Sequence, residues 1–175
     1  VEVADDGSPR GERLFALWNP PLADEATGAR LSANGETARL LAGLVQAGHR
    51  AIAFTRSRKG AELVATYARH QLPDELRDAI RPYRGGYLAA ERRELEAQLF
   101  SGELRGVAAT TALELGIDVG TLDACILNGF PGTIASMWQQ AGRAGRARQQ
   151  ARAVLVAGRD ALDPWLMAHP REVFT

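Results

Sequence analysis

The feature that most limits how this chain can fold is a set of short apolar runs that do not alternate with polar residues. They include "AIAF" (51–54), "GVAAT" (106–110), "ACILNGF" (124–130) and "ARAVLVAG" (151–158). A strand with one wet face shows a polar residue at every second position, so runs like these belong to strands buried on both faces. Between them lie amphipathic stretches. "ETARLLAGLVQAG" (36–48) sets Leu40, Leu41, Leu44 and Val45 on one helical face and ends near Gly48. Further helices are expected from about Lys59 to Gln71, over "AAERRELEAQLFSG", in a short turn through "ALELG", and from Thr133 onward. "RLFALWN" and "AIRPYRG" read as additional strands, and Pro20 to Ser32 as a loop. A repeated strand–helix order with short links predicts an α/β fold, a mainly parallel sheet covered by helices on both faces.

A chain of 175 residues suits one domain with a single sizeable core. Formal net charge is zero, so no global field draws it to nucleic acid or membrane, and any phosphate-binding role must be local. Cys125 is the only cysteine; it excludes an internal disulfide and reads as a core thiol within "ACIL". With no signal-peptide pattern and no long apolar span, a cytoplasmic location without membrane contact is expected. The start at Val1 and the stop at "HPREVFT" are expected of a piece excised from a longer chain. Residues 1–12 and 20–32 are expected to be flexible.

In doubly wound folds, ligands bind beyond the carboxyl ends of the strands. That draws attention to Thr55–Arg58, Arg84–Tyr87, Thr110–Asp118 and Phe130–Thr133. The sole lysine, Lys59 in "TRSRKGAEL", lacks the preceding glycine and following hydroxyl of a nucleotide phosphate loop, so the chain has none of its own. The acidic "DEAT" (24–27) follows a Pro-rich turn and reads as solvated loop. "WQQAGRAGRARQQ" (138–150) is more pointed. If the segment is helical, Gln139, Arg143 and Arg146 share one face. Gly142 and Gly145 clear bulk for a backbone or a phosphate chain to approach. On spacing alone, a fraying helix end and a phosphate surface are equally supported. "ATTALELGIDVGTLDA" adds strand-end hydroxyls at Thr110 and Thr111, space at Gly116 and an acid at Asp118. Such groups suit a phosphate and a ribose, as well as a simple strand-to-helix corner.

"ATTALELGID" and "QQAGRAGR" resemble motifs V and VI of superfamily 2 helicases, and "AFTRSRKGAE" resembles motif IV. "YRGGYLAAERRELEAQLFSGELRGVAAT" matches the segment joining motifs IV and V, and the motifs follow one another in the right order. The chain is thus similar to the second RecA-like (helicase C-terminal) domain of DEAD/DEAH-type helicases, most of all those of the YprA-like, mitomycin repair factor A family. The resemblance implies a RecA-like three-layer αβα sandwich, one domain over residues 1–175. It implies the second motor half of an ATP-dependent DNA helicase in repair, unwinding 3′ to 5′, with an RNA motor or a non-catalytic binding module as alternatives. ATP and Mg²⁺ would be held mainly by an absent N-terminal RecA-like domain, and the isolated chain would be inactive. Arg143 and Arg146 would be arginine fingers, Gln139 would couple the γ-phosphate to the strand, and Gly116 and Asp118 would line the nucleotide cleft. Ser57, Gly85, Thr110 and Thr111 would contact phosphates of a single strand, DNA favoured over RNA, with Arg56 and Arg84 as further contacts. Arg92 and Arg93 are expected on a solvated helix face, and Trp138 in packing rather than stacked on a base.

Overall fold

The computed structural model describes residues 13–83, 85–110, 122–145 and 150–174. The apolar runs form a six-stranded sheet in the order β1 (Arg13–Trp18), β8 (Ala151–Val156), β7 (Ala124–Asn128), β4 (Ala51–Phe54), β6 (Gly106–Ala109), β5 (Ile80–Tyr83). Every neighbouring pair is parallel. This is the α/β fold that the alternation of runs and amphipathic stretches predicts, and the RecA-like sandwich that the resemblance implies.

Helices α1 (Ala33–Gln46) and α2 (Arg58–His70) cover one face. The other face is covered by α3 (Ala89–Ser101), α4 (Ile134–Ala141), α5 (Leu162–Ala168) and the short α6 (Arg171–Phe174). Both faces are apolar, yet they differ in size of side chain. Ala51, Ala53, Ala108 and Ala124 turn to α1 and α2, where Ala38, Ala42, Ala61, Ala65 and Ala68 meet them. Ile52, Phe54, Val107, Cys125 and Leu127 turn the other way, onto Leu95, Leu99 and Met137. Small residues on both sides of an interface let helix and sheet backbones approach closely, whereas the opposite face fills its space with bulk. Cys125 is fully buried, as its apolar neighbours require, and burial pushes its thiol pKa up, keeping it protonated.

Two local features differ from the sequence expectation. Within 20–32 the chain pairs β2 (Leu22–Asp24) with β3 (Ala29–Arg30) in an antiparallel ribbon. Its turn closes on Asp24, whose carboxylate accepts from Ala26 N at 2.9 Å and Thr27 Oγ1 at 2.9 Å. The "DEAT" acids are therefore exposed turn chemistry, as read, but the segment is not plain loop. Second, a 3-10 helix at Asp74–Ala79 precedes β5. No helix among the described residues is long and apolar enough to cross a membrane.

Candidate nucleic-acid and nucleotide interface

The order of strands creates a topological switch between β4 and β7. From β4 the chain leaves into α2 on the alanine-lined face, and from its neighbour β7 it leaves into α4 on the opposite face. Between loops that diverge this way the carboxyl edge opens into a crevice, the usual ligand position in doubly wound sheets. Here it is a cavity of about 280 Å³ bordered by Thr55, Arg56, Thr110, Asn128, Gly129 and Gln140.

Each of these groups is placed by its strand end. Thr55 ends β4 with its hydroxyl donating to Ser57 O at 3.0 Å. Ser57 caps α2, its Oγ accepting from Gly60 N at 3.0 Å. A hydroxyl that accepts from its helix retains its own proton for an outside acceptor such as a phosphate oxygen. Thr110 follows β6 and is largely buried. Gly85 lies exposed beyond the edge strand β5. Thus Gly85, Thr110 and Ser57 stand at the carboxyl ends of three consecutive strands, β5, β6 and β4. With strands about 4.8 Å apart, they form a row of about 10 Å.

Arg56 is placed differently from the expectation of an outward phosphate contact. Its guanidinium is tied to Asp160, to Phe130 O and to Asp163 Oδ1, the last at 3.3 Å. Asp163, only 1% exposed, also accepts through Oδ2 from Gly158 N at 2.7 Å and Phe130 N at 3.2 Å. One carboxylate thereby fastens the exits of β4, β7 and β8 together. Gly129 makes the tie possible: its φ is +86°, and a Cβ there would stand 3.2 Å from Arg56 Nε. Nothing in the sequence separates Asp163 from an ordinary first-turn helix acid, and it lies 107 positions from Arg56.

The motif VI segment is not continuously helical. Thr133 caps α4 by accepting from Ser136 N at 3.0 Å, and the helix stops at Ala141. Gly142 closes it, its N–H donating to Trp138 O at 2.9 Å. Beyond that, Ala144 bridges to Leu122 in parallel fashion, and Gly145 N donates to Leu122 O at 2.8 Å. Gln139 and Arg143 therefore do not share a helix face: Arg143 lies past the helix end, half-buried, in a chain pulled onto the sheet. Gly145 does admit a close backbone, that of β8, since a Cβ there would fall 2.3 Å from Ala151 Cβ. Because α4 runs back along β7, Arg143 sits near the amino end of β7, while Thr110 and Ser57 sit at the carboxyl edge. Gln139 is exposed between them, and Gln140 is buried, its carbonyl accepting from Cys125 Sγ at 3.3 Å. Trp138 packs against Phe15 and Phe174, with ring centroids 5.2 and 6.1 Å away, rather than standing open for a base. Arg92 and Arg93 lie exposed on α3, as expected of a solvated face. Arg84, Thr111, Gly116, Asp118 and Arg146 lie outside the described residues.

Comparison with known proteins bears on this arrangement directly. The family model for the helicase conserved C-terminal domain matches residues 36–148. The chain is 39% identical over 173 residues to the ATP-dependent helicase YprA of Bacillus subtilis, covering 98% of this chain and 23% of that protein. It is 37% identical over 175 residues to the ATP-dependent helicase HRQ1 of Saccharomyces cerevisiae, covering 98% of this chain and 16% of that one. Among solved structures, the DUF1998 helicase MrfA bound to DNA superposes with a TM-score of 0.90 at 39% identity, over 97% of this chain and 23% of that one. The chain thus spans under a quarter of the length of these relatives. On the family match, these identities and the shared fold, this chain belongs to the helicase conserved C-terminal domain family.

Proposed function

We propose that this domain is the second motor half of an ATP-dependent helicase that tracks along one strand of DNA in the 3′-to-5′ direction and serves repair. The observation that carries the proposal is the separation of two groups of side chains by α4. Strand-end hydroxyls and backbone gather at the carboxyl edge, and an arginine emerges near the opposite end of β7. Ser57, Gly85 and Thr110 receive phosphates of the strand, together with Thr111 and Arg84, their neighbours in sequence. Such contacts position a strand without reading its sequence. Arg56 serves this row by holding its loops.

At the other end, Arg143 acts as an arginine finger. On the family resemblance Arg146 is a second finger and Gly116 and Asp118 belong to the nucleotide cleft. Gln139, between the two ends, couples them. Among the described residues no group of three His, Cys, Asp or Glu could hold a metal ion, and the sequence has no phosphate loop. The residues present therefore fit a role facing a Mg²⁺–ATP held by an N-terminal RecA-like domain rather than one of holding it. Bound there, the nucleotide supplies the phosphoryl group whose developing charge the arginines stabilise, an effect worth about 10³- to 10⁵-fold in rate. The relatives named ATP-dependent helicases support the activity, and the DNA-bound and AMPPNP-bound MrfA structures support the choice of ligands.

The test is Arg143→Ala in the complete polypeptide. ATP hydrolysis should fall by at least about a thousandfold while nucleotide binding persists. Unchanged turnover, or turnover by the 175-residue domain alone, would overturn the reading. Unwinding of matched DNA and RNA duplexes decides the substrate.

A further inference from the structure

Lys59, the only lysine of the chain, has no place in the row of contacts just described. In the structure it lies in the first turn of α2 and borders a second cavity of about 350 Å³. This cavity adjoins the crevice, sharing Thr55, Arg56, Asn128 and Gly129 with it, and opens toward the first turns of α1 and α2. Arg159, at the exit of β8, borders it from the other side. The two cations are 100 positions apart in sequence and converge only through the sheet order, in which β8 and β4 flank β7.

The state of these charges distinguishes them from their neighbours. Arg56 is consumed by Asp160, Asp163 and a carbonyl, and Asp160, the acid that borders the cavity, is consumed by Arg56 in turn. Lys59 and Arg159 are both exposed, and among the described residues neither has an ion-pair partner. Between them stand the Ser57 hydroxyl and Asn34, whose Oδ1 accepts from Asn128 Nδ2 at 2.6 Å. In a chain of zero net charge, two unpaired cations, a hydroxyl and an amide meeting over one cavity form a local anion receptor. Its position settles the kind of anion. It continues the row Gly85, Thr110, Ser57 along the same carboxyl edge, past β4 toward β8.

We propose that Lys59 and Arg159 form a further phosphodiester subsite, extending the strand track of this domain beyond Ser57 to the exit of β8. The subsite rests on the reading of the carboxyl edge as a strand track, and it extends that track from Lys59, within the motif IV segment, to Arg159, which lies outside the motifs. Its cations contact phosphate only, so it is indifferent to base sequence and sensitive to salt.

The experiment measures binding of the complete polypeptide to a labelled oligothymidylate over a range of salt concentrations. It compares wild type, the double variant Lys59→Ala/Arg159→Ala, and Thr110→Ala. Each protein is also tested on oligonucleotides carrying one neutral methylphosphonate at successive positions. The double variant should bind on the order of tenfold more weakly, with a salt slope shallower by about 1.4, two contacts at about 0.7 each for a single strand. One methylphosphonate position that weakens wild type should become silent in the double variant, and Lys59→Arg should restore part of the affinity. If the double variant matches wild type in slope and methylphosphonate pattern while Thr110→Ala weakens binding, the subsite is refuted and the track stands. If affinity falls without any change in slope or pattern, the effect is structural and the subsite is again refuted. If Thr110→Ala is as silent as the double variant, the track reading itself is overturned.

Discussion

Replacing Asp163 tests whether one carboxylate holds the candidate interface together. Its Oδ2 receives two backbone amides, Gly158 N and Phe130 N, and its Oδ1 faces Arg56. In Asp163→Ala both amides lose their acceptor in a site that is 1% exposed. A buried polar group left unpaired costs about 1–3 kcal/mol, so two give about 2–6 kcal/mol. The lost ion pair adds little, because Arg56 is half-exposed and keeps Asp160 and Phe130 O. In Asp163→Asn the amide oxygen can take the place of Oδ2 and accept from both N–H groups, so only the contact with Arg56 is lost, at about 1 kcal/mol. The two substitutions should therefore differ by about 1–5 kcal/mol. Urea unfolding followed by tryptophan fluorescence reads this well, since Trp165 lies two residues away on α5. By melting temperature the alanine variant should drop by about 4–24 °C, at about 2–4 °C per kcal/mol for a domain of this size. An alanine variant within about 1 kcal/mol of wild type would refute the reasoning. So would an asparagine variant as costly as the alanine, because the amides would then not be what the carboxylate serves.

Two further outcomes follow from particular contacts. Gly145→Ala should cost about 2–5 kcal/mol by the same unfolding assay, combining a left-handed backbone at φ +83° with a Cβ 2.3 Å from that of Ala151. Gly142→Ala should cost clearly less, because Gly142 has φ −67°, and equal losses at the two positions would refute the distinction. The Arg39 guanidinium, and after it the Trp18 indole N–H, hold the Glu36 carboxyl below its ordinary value of 4.5. A depressed folded pKa stabilises the fold above the unfolded value, and that contribution is lost as pH falls through the folded value. The stability gap between wild type and Glu36→Gln, about 1 kcal/mol given the half-exposed Arg39, should be constant above about pH 5 and vanish toward strong acid. A gap that grows on acidification would contradict this assignment.

What the sequence conveyed depended on the range of the forces involved. Strands β4 and β6 were readable because burial on both faces removes polar residues from them, and β7 and β8 because each keeps only one, Asn128 and Arg152. Their division into an alanine-lined and a bulky face was present in the letters, but its meaning depends on which helices lie opposite. The ribbon of β2 and β3 gave no signal because all five of its residues are exposed, and backbone pairing alone defines it. The spacing leaves open whether α4 continues through Arg146 or frays before it. The contact of Ala144 and Gly145 with Leu122, a pairing across more than twenty positions, ends it. Arg56 illustrates the same limit from the side of charge. Its position after a strand was visible, whereas its acids lie 104 and 107 positions away and can be found only by folding the chain.

The placement of α4 also constrains how its two ends can influence each other. Eight helical residues span about 12 Å, less than the length of β7 together with its flanking turns. Along that length Met137 is fully buried, and Cys125 Sγ donates to Gln140 O, so the helix is pinned to the strand beneath it. Its first turn is fixed by Thr133 and its exit by the pairing of Gly145 with Leu122. A helix restrained at both ends and in the middle cannot slide or bend independently of its sheet. Any coupling between groups at the carboxyl edge and Arg143 must then be carried by movement of the domain as a unit, through its contacts with whatever it closes upon, and not by a shift of α4 within it.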